Sequence, residues 1–210
     1  MRFSKDKKFI FLANPKTGST SVRKVLDPFS DHQELIDRNL YHDHWTARQY
    51  KKVFQDLELD WDSFYKFVNI RNPWDKYVSN FIFSKPDAKG LPFYNSAYDK
   101  NTAGFISFKD WVVLHLEVNE YPPQGCFRVD QFAADAQGNL LVDDVFPIEG
   151  FTSVDFPKII ERLNLGISND LPVANTTKRD KNYQNYYDNK TKALVEKFCY
   201  MDIEYGKYVF

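Results

Sequence analysis

The sequence is poor in cysteine and histidine, and neither residue type is spaced for metal binding. Cys126 and Cys199 are the only cysteines, and they lie far apart without a CxxC motif. Buried, reduced thiols are therefore expected in preference to a disulfide. The four histidines also lack the spacing of zinc ligands. The sequence thus gives no reason to expect a zinc site.

A charge excess of either sign and long apolar segments are also absent. Lys and Arg total 28 and Asp and Glu total 29, so the net charge is −1 and gives no general reason to expect a nucleic-acid or membrane partner. The apolar run FIFLA near the N-terminus is too short for a secretory signal, and no run approaches the roughly 20 residues that span a bilayer. We expect a cytoplasmic protein without a membrane span. Its 210 residues suit a single α/β domain.

An apolar segment, a turn and a helical pattern follow one another near the N-terminus. KFIFLA, residues 8–13, predicts a strand that is covered on both faces. Val22, Val25 and Leu26 then recur at helical spacing. The first unit of the fold is therefore predicted to be strand, tight turn and helix.

The same order is repeated further along the chain. YKFVNI, residues 65–70, predicts a second buried strand, and Pro73 suits the first position of a helix that Asn72 would cap. A helix predicted for residues 46–57 would return the chain between the two strands, so that they run parallel. We expect a three-layer α/β fold with a P-loop-like central parallel sheet flanked by helices.

The remaining elements are predicted from turn residues and periodicity. They are a long loop at 84–104, a helix at 107–117, a strand at 140–146, a helix at 153–166 with Gly166 as its C-cap, and a last helix near 188–200.

The turn NPKTGSTS, residues 14–21, has the composition of an anion-binding loop. A glycine between strand and helix lets several N–H groups point at one anion, and the helix dipole favours negative charge there. Lys16 adds a full positive charge. Nucleotide hydrolases use GxxxxGK[ST], in which lysine follows the last glycine, whereas Lys16 precedes Gly18. A Ser/Thr-rich helix cap without a ligand would explain the same residues.

A second cationic position follows the second predicted strand. Arg71 lies at the carboxyl end of that strand, which is the edge where open α/β sheets bind ligands. Its guanidinium matches a phosphate at two points, and Ser79, about two helical turns later, supplies a hydroxyl. A structural salt bridge to a neighbouring acid is the alternative for Arg71. Two cationic positions at neighbouring strand ends imply a ligand with two separated phosphates and little need for a metal ion.

Both motifs resemble those of a known family. FIFLANPKTGSTS resembles the 5′-phosphosulfate loop, and FVNIRNPWDKYVSNF the 3′-phosphate motif, of sulfotransferases that use 3′-phosphoadenosine 5′-phosphosulfate (PAPS). The likeness is closest to the carbohydrate-type members, among them soluble bacterial enzymes, and the C-terminal segment from LPVANTTKRDK onwards is also similar. The resemblance implies a single sulfotransferase domain over residues 1–210, with PAPS as co-substrate, PAP as product and no metal ion.

The resemblance also implies roles for individual residues. Arg71 and Ser79 would hold the 3′-phosphate. Lys178 and Arg179 would close over the nucleotide, although a solvated basic loop explains TTKRDK equally well. The 5′-phosphosulfate would be held by Lys16, Thr17, Gly18, Ser19, Thr20 and Ser21.

Sulfuryl transfer to a hydroxyl group needs a base and positive charge on the leaving oxygen. By analogy with phosphoryl transfer, positioning and electrostatics do most of the work, and Lys16 is our choice for the leaving oxygen. YHDHWTARQY offers His44 and His42 as bases. The resemblance also implies a histidine base, and the HWTA context favours His44. Asp43 is a candidate to orient an imidazole. Ordinary loop histidines are the alternative.

The acceptor is expected to be a hydroxyl-bearing molecule, and a saccharide fits the resemblance. Aromatic side chains stack on sugar rings, but they serve equally well as core. The aromatic candidates are Tyr41, Trp45, Phe93, Tyr94 and Tyr98. Two rival functions remain open at this stage: a P-loop kinase, and a nucleotide-binding relative that no longer catalyses. The acceptor's identity and the oligomeric state do not follow from the sequence.

Overall fold

The structure is a computed structural model that describes residues 1–84, 98–99, 104–172 and 179–210. The chain divides into two compact units. The first comprises Met1–Ile70 with Arg128–Asn175, and the second comprises Arg71–Phe127 with Thr176–Phe210. Within the described ranges, no helix is both long enough and apolar enough to cross a membrane.

The strands in the described part of the chain are β1 (Arg2–Ser4), β2 (Phe9–Leu12), β3 (Tyr65–Ile70), β4 (Tyr98–Asp99), β5 (Gly104–Phe105) and β6 (Asp144–Pro147). The α-helices in the same residues are α1 (Ser19–Leu26), α2 (His32–Asp37), α3 (Ala47–Asp56), α4 (Pro73–Phe83), α5 (Phe108–Val113), α6 (Val129–Ala133), α7 (Phe151–Arg162), α8 (Asn189–Phe198) and α9 (Tyr200–Gly206).

The first unit is built on a four-stranded sheet with the order β1–β2–β3–β6. β1 runs antiparallel to β2, whereas β2, β3 and β6 are parallel to one another. Phe11 lies opposite Phe67, and Phe67 lies opposite Asp144. The parallel strands therefore end at one edge of the sheet, and the turn into α1 begins at this edge.

Helices cover both faces of this sheet. On one face, Phe11 and Phe67 share a buried cluster with apolar residues of α1 and α7. On the other face, Phe3 contacts Phe54 of α3, with ring centroids 5.2 Å apart. Phe3 lies opposite Ile10, and side chains alternate between the faces along a strand. The predicted fold class is confirmed: a three-layer α/β fold with a P-loop-like, mostly parallel central sheet.

Local sequence signals predicted several elements correctly. β2 lies within the predicted strand at 8–13, and β3 has the predicted bounds. α4 begins at Pro73, and the Asn72 side chain caps it. Thr46 caps α3 in a reciprocal capping box with Gln49. In both helices a cap residue stands directly before the apolar periodicity, which fixes the start of the helix.

The second unit has a core of its own. Trp74, Tyr77 and Trp111 are buried there together with apolar residues of α4, α5 and α8. Cys126 and Cys199 belong to the same cluster, and both are free thiols, as predicted. β4 and β5 form a short antiparallel ladder in this unit.

Two of the predicted boundaries are wrong for reasons visible in the backbone. The strand predicted at 140–146 begins only at Asp144, because Leu141 donates its N–H to the carbonyl of Ala133 (2.8 Å) before the chain joins β3.

The helix predicted at 153–166 is α7, which starts earlier and ends sooner. Gly166 was the predicted C-cap, but Asn164 adopts the left-handed conformation first, with φ of 46°. Leu165 then closes the turn by donating to the carbonyl of Ile160 (3.1 Å). Asparagine tolerates this conformation, so the helix ends before the glycine is reached.

Three further segments differ in detail. The helix predicted at 107–117 is α5 followed by a π-helical turn at Leu114–Val118. The helix near 188–200 consists of α8, which Asp188 caps, and α9. The loop predicted at 84–104 contains β4 and the first residue of β5, and its other residues after 84 lie outside the described part of the chain.

Candidate active site

Buried polar side chains form hydrogen bonds that hold the turn between β2 and α1. Asn14 and Thr17 are both fully buried. Thr17 donates its hydroxyl to the Asn14 carbonyl (2.8 Å), and the Asn14 amide donates to the carbonyl of Asn69 on β3 (3.3 Å). The turn is therefore attached to two neighbouring strands, and its backbone is held in one conformation.

Two residues of this turn adopt left-handed backbone conformations. Gly18 has φ of 70° and Lys16 has φ of 63°. A lysine in this region costs conformational energy, and such strain persists only where the surrounding structure imposes it, often at functional sites. Together the two residues curl the chain tightly ahead of α1, as an anion-binding loop requires.

The N-cap position of α1 carries no side chain. Gly18 is the N-cap, so the cap residue itself has no hydroxyl or carboxylate to accept a hydrogen bond from the first turn. The first turn also contains no acidic residue. The cap position is therefore not occupied by Ser or Thr, and the positive end of the helix dipole favours negative charge at this point.

Gly18→Ala is expected to destabilise the protein by about 1–2 kcal/mol from backbone strain, and to add a steric cost. A Cβ at Gly18 would lie 3.0 Å from Cδ1 of Ile148. Gly150→Ala is the matched control, because Gly150 has φ of 87° at the start of α7 but a Cβ there would meet nothing within 4 Å. Urea unfolding of both variants measures the difference. Equal losses of unfolding free energy in the two variants would show that the Ile148 side chain moves aside without an energetic cost.

His44 is held against the strand that precedes the turn. Its Nδ1 lies 2.7 Å from the carbonyl oxygen of Ala13. A carbonyl can only accept, so Nδ1 carries the proton and Nε2 of the neutral ring has the free lone pair. Burial lowers the pKa of His44 below its ordinary value, and the hydrogen bond to Ala13 opposes this shift only in part. The imidazole is therefore neutral at pH 7 and can accept a proton at Nε2.

His42 has a different environment. Its Nδ1 accepts the backbone N–H of His44 (3.2 Å), and its ring stacks on Trp45 at 22° with centroids 6.3 Å apart. The nitrogen that carries the lone pair is thus already in use. Of the two predicted candidates, His44 has the geometry of a general base.

A charged cluster fixes the segment that carries both histidines. The Asp43 carboxylate pairs with Arg23 of α1 and accepts a hydrogen bond from the Tyr41 hydroxyl (2.6 Å). Although burial acts to raise it, these contacts hold the pKa of Asp43 well below its ordinary value. The imidazole-orienting role that the sequence suggested for Asp43 therefore falls to the carbonyl of Ala13.

The predicted aromatic candidates lie in different surroundings. Burial and the hydrogen bond to Asp43 raise the pKa of Tyr41 to about 12, and its hydroxyl also accepts from Arg2 (2.6 Å). Tyr41 is thus a member of the charged cluster. Trp45 is half-buried beside His42. Phe93, Tyr94 and the side chain of Tyr98 lie outside the described part of the chain.

Arg71, in the second unit, forms the salt bridge that the sequence offered as its alternative role. Its Nε donates to Oδ2 of Asp75 (2.8 Å), and Arg179 pairs with the other oxygen of the same carboxylate. Nη1 of Arg179 is buried without a partner among the described residues. Ser79 is buried on α4, and Lys178 lies outside the described residues.

Sequence reasoning missed one acid, Asp75, and one arginine, Arg23, in these arrangements. Asp75 was detectable, because it stands in the first turn of the predicted helix, four residues after Arg71 and within reach of its side chain. The partnership of Arg23 with Asp43 had no local signal. Among the described residues, no group of three or more His, Cys, Asp or Glu side chains is arranged to hold a metal ion, and the predicted lack of a metal requirement stays a prediction.

Comparison with known proteins gives one family match. The model of the Sulfotransferase family matches residues 1–209, which include both units. No curated protein and no solved structure matches the chain significantly. A match over nearly the whole chain is what one domain over residues 1–210 would give, and that domain assignment stays a prediction. The chain belongs to the sulfotransferase family, and its reaction is the transfer of a sulfuryl group.

Proposed function

We propose that the protein transfers the sulfuryl group of PAPS to a hydroxyl group of a saccharide, with His44 as the general base. The observation that carries this proposal is the hydrogen bond between His44 and Ala13, which leaves Nε2 of a neutral imidazole available beside the anion-binding turn. Family membership supports sulfuryl transfer, for which PAPS is the usual donor. A hydroxyl acceptor must lose a proton during transfer, and this geometry suits its removal.

In the proposed step, the acceptor oxygen attacks sulfur in line with the bond to the 5′-phosphate oxygen of PAPS. The acceptor O–S bond forms, the bond from sulfur to the phosphate oxygen breaks, and the acceptor proton moves to Nε2 of His44. Lys16 stabilises the negative charge on the departing phosphate oxygen. The products are a sulfate ester and PAP.

The turn after β2 is proposed to bind the 5′ end of the nucleotide. Its support is the glycine N-cap of α1 without acidic residues in the first turn, the left-handed backbone at Lys16 and Gly18, and the hydrogen bond of the buried Thr17 hydroxyl. Backbone N–H groups and the charge of Lys16 suit a phosphosulfate. The residues proposed to contact it are Lys16, Thr17, Gly18, Ser19, Thr20 and Ser21.

Arg71 is proposed to bind the 3′-phosphate, with Ser79 supplying a hydroxyl. The salt bridge to Asp75 does not exclude this role, because a guanidinium has five N–H donors and Asp75 fixes its orientation. Arg179 is proposed to join the same anion, since Asp75 holds it by Nη2 while its buried Nη1 has no partner among the described residues. Lys178 remains a proposed contact on the strength of the resemblance alone.

Calorimetric titration with adenosine 3′,5′-bisphosphate, AMP and Mg·ATP tests the nucleotide part of the proposal. We expect the bisphosphate to bind roughly 10- to 100-fold more tightly than AMP, since charge-assisted hydrogen bonds to the 3′-phosphate contribute about 1.5–3 kcal/mol. Arg71→Gln should remove most of that difference and leave AMP binding unchanged. Arg128→Gln is the matched control, because Arg128 has the same 21% side-chain exposure and also pairs with an acid.

Equal affinity for AMP and the bisphosphate would contradict the role of Arg71. Tighter binding of Mg·ATP would instead support a P-loop kinase. Incubation with PAPS and a panel of saccharides, followed by mass spectrometry of the products, tests catalysis. Binding of the bisphosphate without any sulfated product would support a relative that no longer catalyses.

A further inference from the structure

The segment that carries His42 and His44 is the base segment of the proposed site. The charged cluster beside His44 connects this base segment with the anion-binding turn. Arg23 lies on α1, one helical turn after Thr20, and its side chain is only 14% exposed. One guanidinium nitrogen pairs with Asp43, and the other terminal nitrogen lies 3.4 Å from the hydroxyl oxygen of Thr20. A single buried side chain therefore bridges the two parts of the proposed active site.

The base segment is attached to its surroundings at several points. Besides Arg23, the Asp43 carboxylate interacts with Tyr41 and lies 3.8 Å from Nη1 of Arg2. The Asp43 carbonyl accepts from the amino group of Met1 (3.0 Å). Arg23 is the member of this cluster that belongs to α1, the helix that the anion-binding turn leads into.

We propose that Arg23 is a positioning residue for the reaction, which pairs with Asp43 to set both the location and the charge environment of His44. This inference rests on the proposed role of His44 as the base. Arg23 itself touches neither the acceptor nor the transferred group. Burial is the main cause of the lowered pKa of His44, and the Arg23–Asp43 pair places a positive and a negative charge near the ring that adjust this pKa in opposite directions.

The charged groups that face His44 come from three directions. Arg23 projects from α1, Asp43 precedes His44 in its own segment, and the amino group of Met1 lies before β1. The ring of His42 lies 6.3 Å away. Arg23 and the amino group act to lower the pKa of His44, and Asp43 acts to raise it. Removing Arg23 and removing Asp43 should therefore change the protonation of His44 in opposite directions.

The experiment compares Arg23→Gln, Asp43→Asn and the double variant by NMR titration of the His44 ring and by the pH profile of kcat/KM. We expect the pKa of His44 to rise in Arg23→Gln and to fall in Asp43→Asn, with the double variant between them. The acid limb of kcat/KM should move in the same directions. At pH 7, kcat of Arg23→Gln should fall roughly 10- to 100-fold, because a misplaced base loses its near-attack geometry.

Arg23→Lys and nucleotide affinity distinguish a positioning role of Arg23 from a merely structural one. Arg23→Lys keeps the charge and should restore the His44 titration, but it should recover kcat only in part, since lysine lacks the second arm that reaches Thr20. Affinity for adenosine 3′,5′-bisphosphate should change by less than about threefold in all variants. If the His44 titration is unchanged in both single variants, or moves in the same direction in both, the positioning role is wrong. If it moves as expected while the pH profile of kcat/KM stays fixed, Arg23 acts on His44 as proposed and His44 is not the base.

Discussion

His44→Ala should lower kcat for sulfuryl transfer by about 10²- to 10⁴-fold, which is the usual contribution of a general base. The reason is the geometry at the end of β2. The Ala13 carbonyl accepts a hydrogen bond from Nδ1–H of His44, so Nε2 is the only ring nitrogen that can take up the proton of the hydroxyl substrate. Formation of PAP and of the sulfated saccharide at saturating PAPS measures the effect. Binding of adenosine 3′,5′-bisphosphate should be nearly unchanged, since the base acts on the acceptor.

Two variants separate base chemistry from position. His44→Gln retains an N–H donor for the Ala13 carbonyl but has no basic nitrogen, so it should be as inactive as His44→Ala. His42→Ala is the matched control, because the lone pair of His42 already accepts the backbone N–H of His44. It should retain kcat within about threefold, well short of the loss from removing a base. A large loss in His42→Ala together with an active His44→Gln would reverse the assignment.

The pH dependence should have a definite sign. In the proposed mechanism His44 acts in its neutral form, and burial lowers its pKa below the ordinary value. Activity should therefore be complete at pH 7 and should fall as the pH decreases through that lowered pKa. In an enzyme without His44 this acid limb should disappear. An activity that instead decreases as the pH rises from 6 to 7 would indicate a protonated imidazole, and that would exclude the base role.

The sequence predicted the features that local physics determines. β3 and the start of α4 follow from an apolar run, an Asn cap and a proline, all within nine residues of one another. Cap and periodicity signals act between neighbours in the chain, so they are visible without tertiary structure. The turn between β2 and α1 was recognisable for the same reason, because strand, turn and helix are contiguous.

The parts that sequence reasoning missed depend on contacts between distant residues. Arg23 and Asp43 are twenty positions apart, and only the packing of α1 against the base segment brings them together. The early end of α7 depended on a competition between Asn164 and Gly166 that the sequence does not decide. β1 is a strand because its backbone pairs with β2, although Arg2 and Ser4 give it little apolar pattern.

The proposal of His44 rather than His42 as the base depends on a small structural detail. The sequence placed both residues in one short segment and could only favour one by context. In the structure, one hydrogen bond to Ala13 and one from the His44 backbone give the two rings opposite lone-pair assignments. The bond to Ala13 has no signature in the sequence, because it depends on how the segment folds beside β2.

Lys16→Ala should lower kcat by about 10²- to 10³-fold, the loss typical of removing one group that stabilises charge in the transition state. In the proposed reaction, negative charge grows on the 5′-phosphate oxygen as the bond to sulfur breaks, and the ammonium group of Lys16 supplies a full positive charge from the turn. PAPS binding should weaken less than kcat falls, because the charge on this oxygen is larger in the transition state than in the substrate. Single-turnover kinetics with PAPS measures the two effects separately.

The backbone of Lys16 allows a further separation of stability from catalysis. With φ of 63°, residue 16 is strained for any side chain but relaxed for glycine. Lys16→Gly should therefore be as inactive as Lys16→Ala. Its free energy of unfolding in urea should nevertheless exceed that of Lys16→Ala by about 1 kcal/mol. Lys24→Ala, at an exposed lysine of α1, is the control and should retain full activity. If Lys16→Ala kept its rate while PAPS binding collapsed, Lys16 would bind substrate and transition state equally, and the charge on the leaving oxygen would have to be stabilised by the N–H groups of the turn instead.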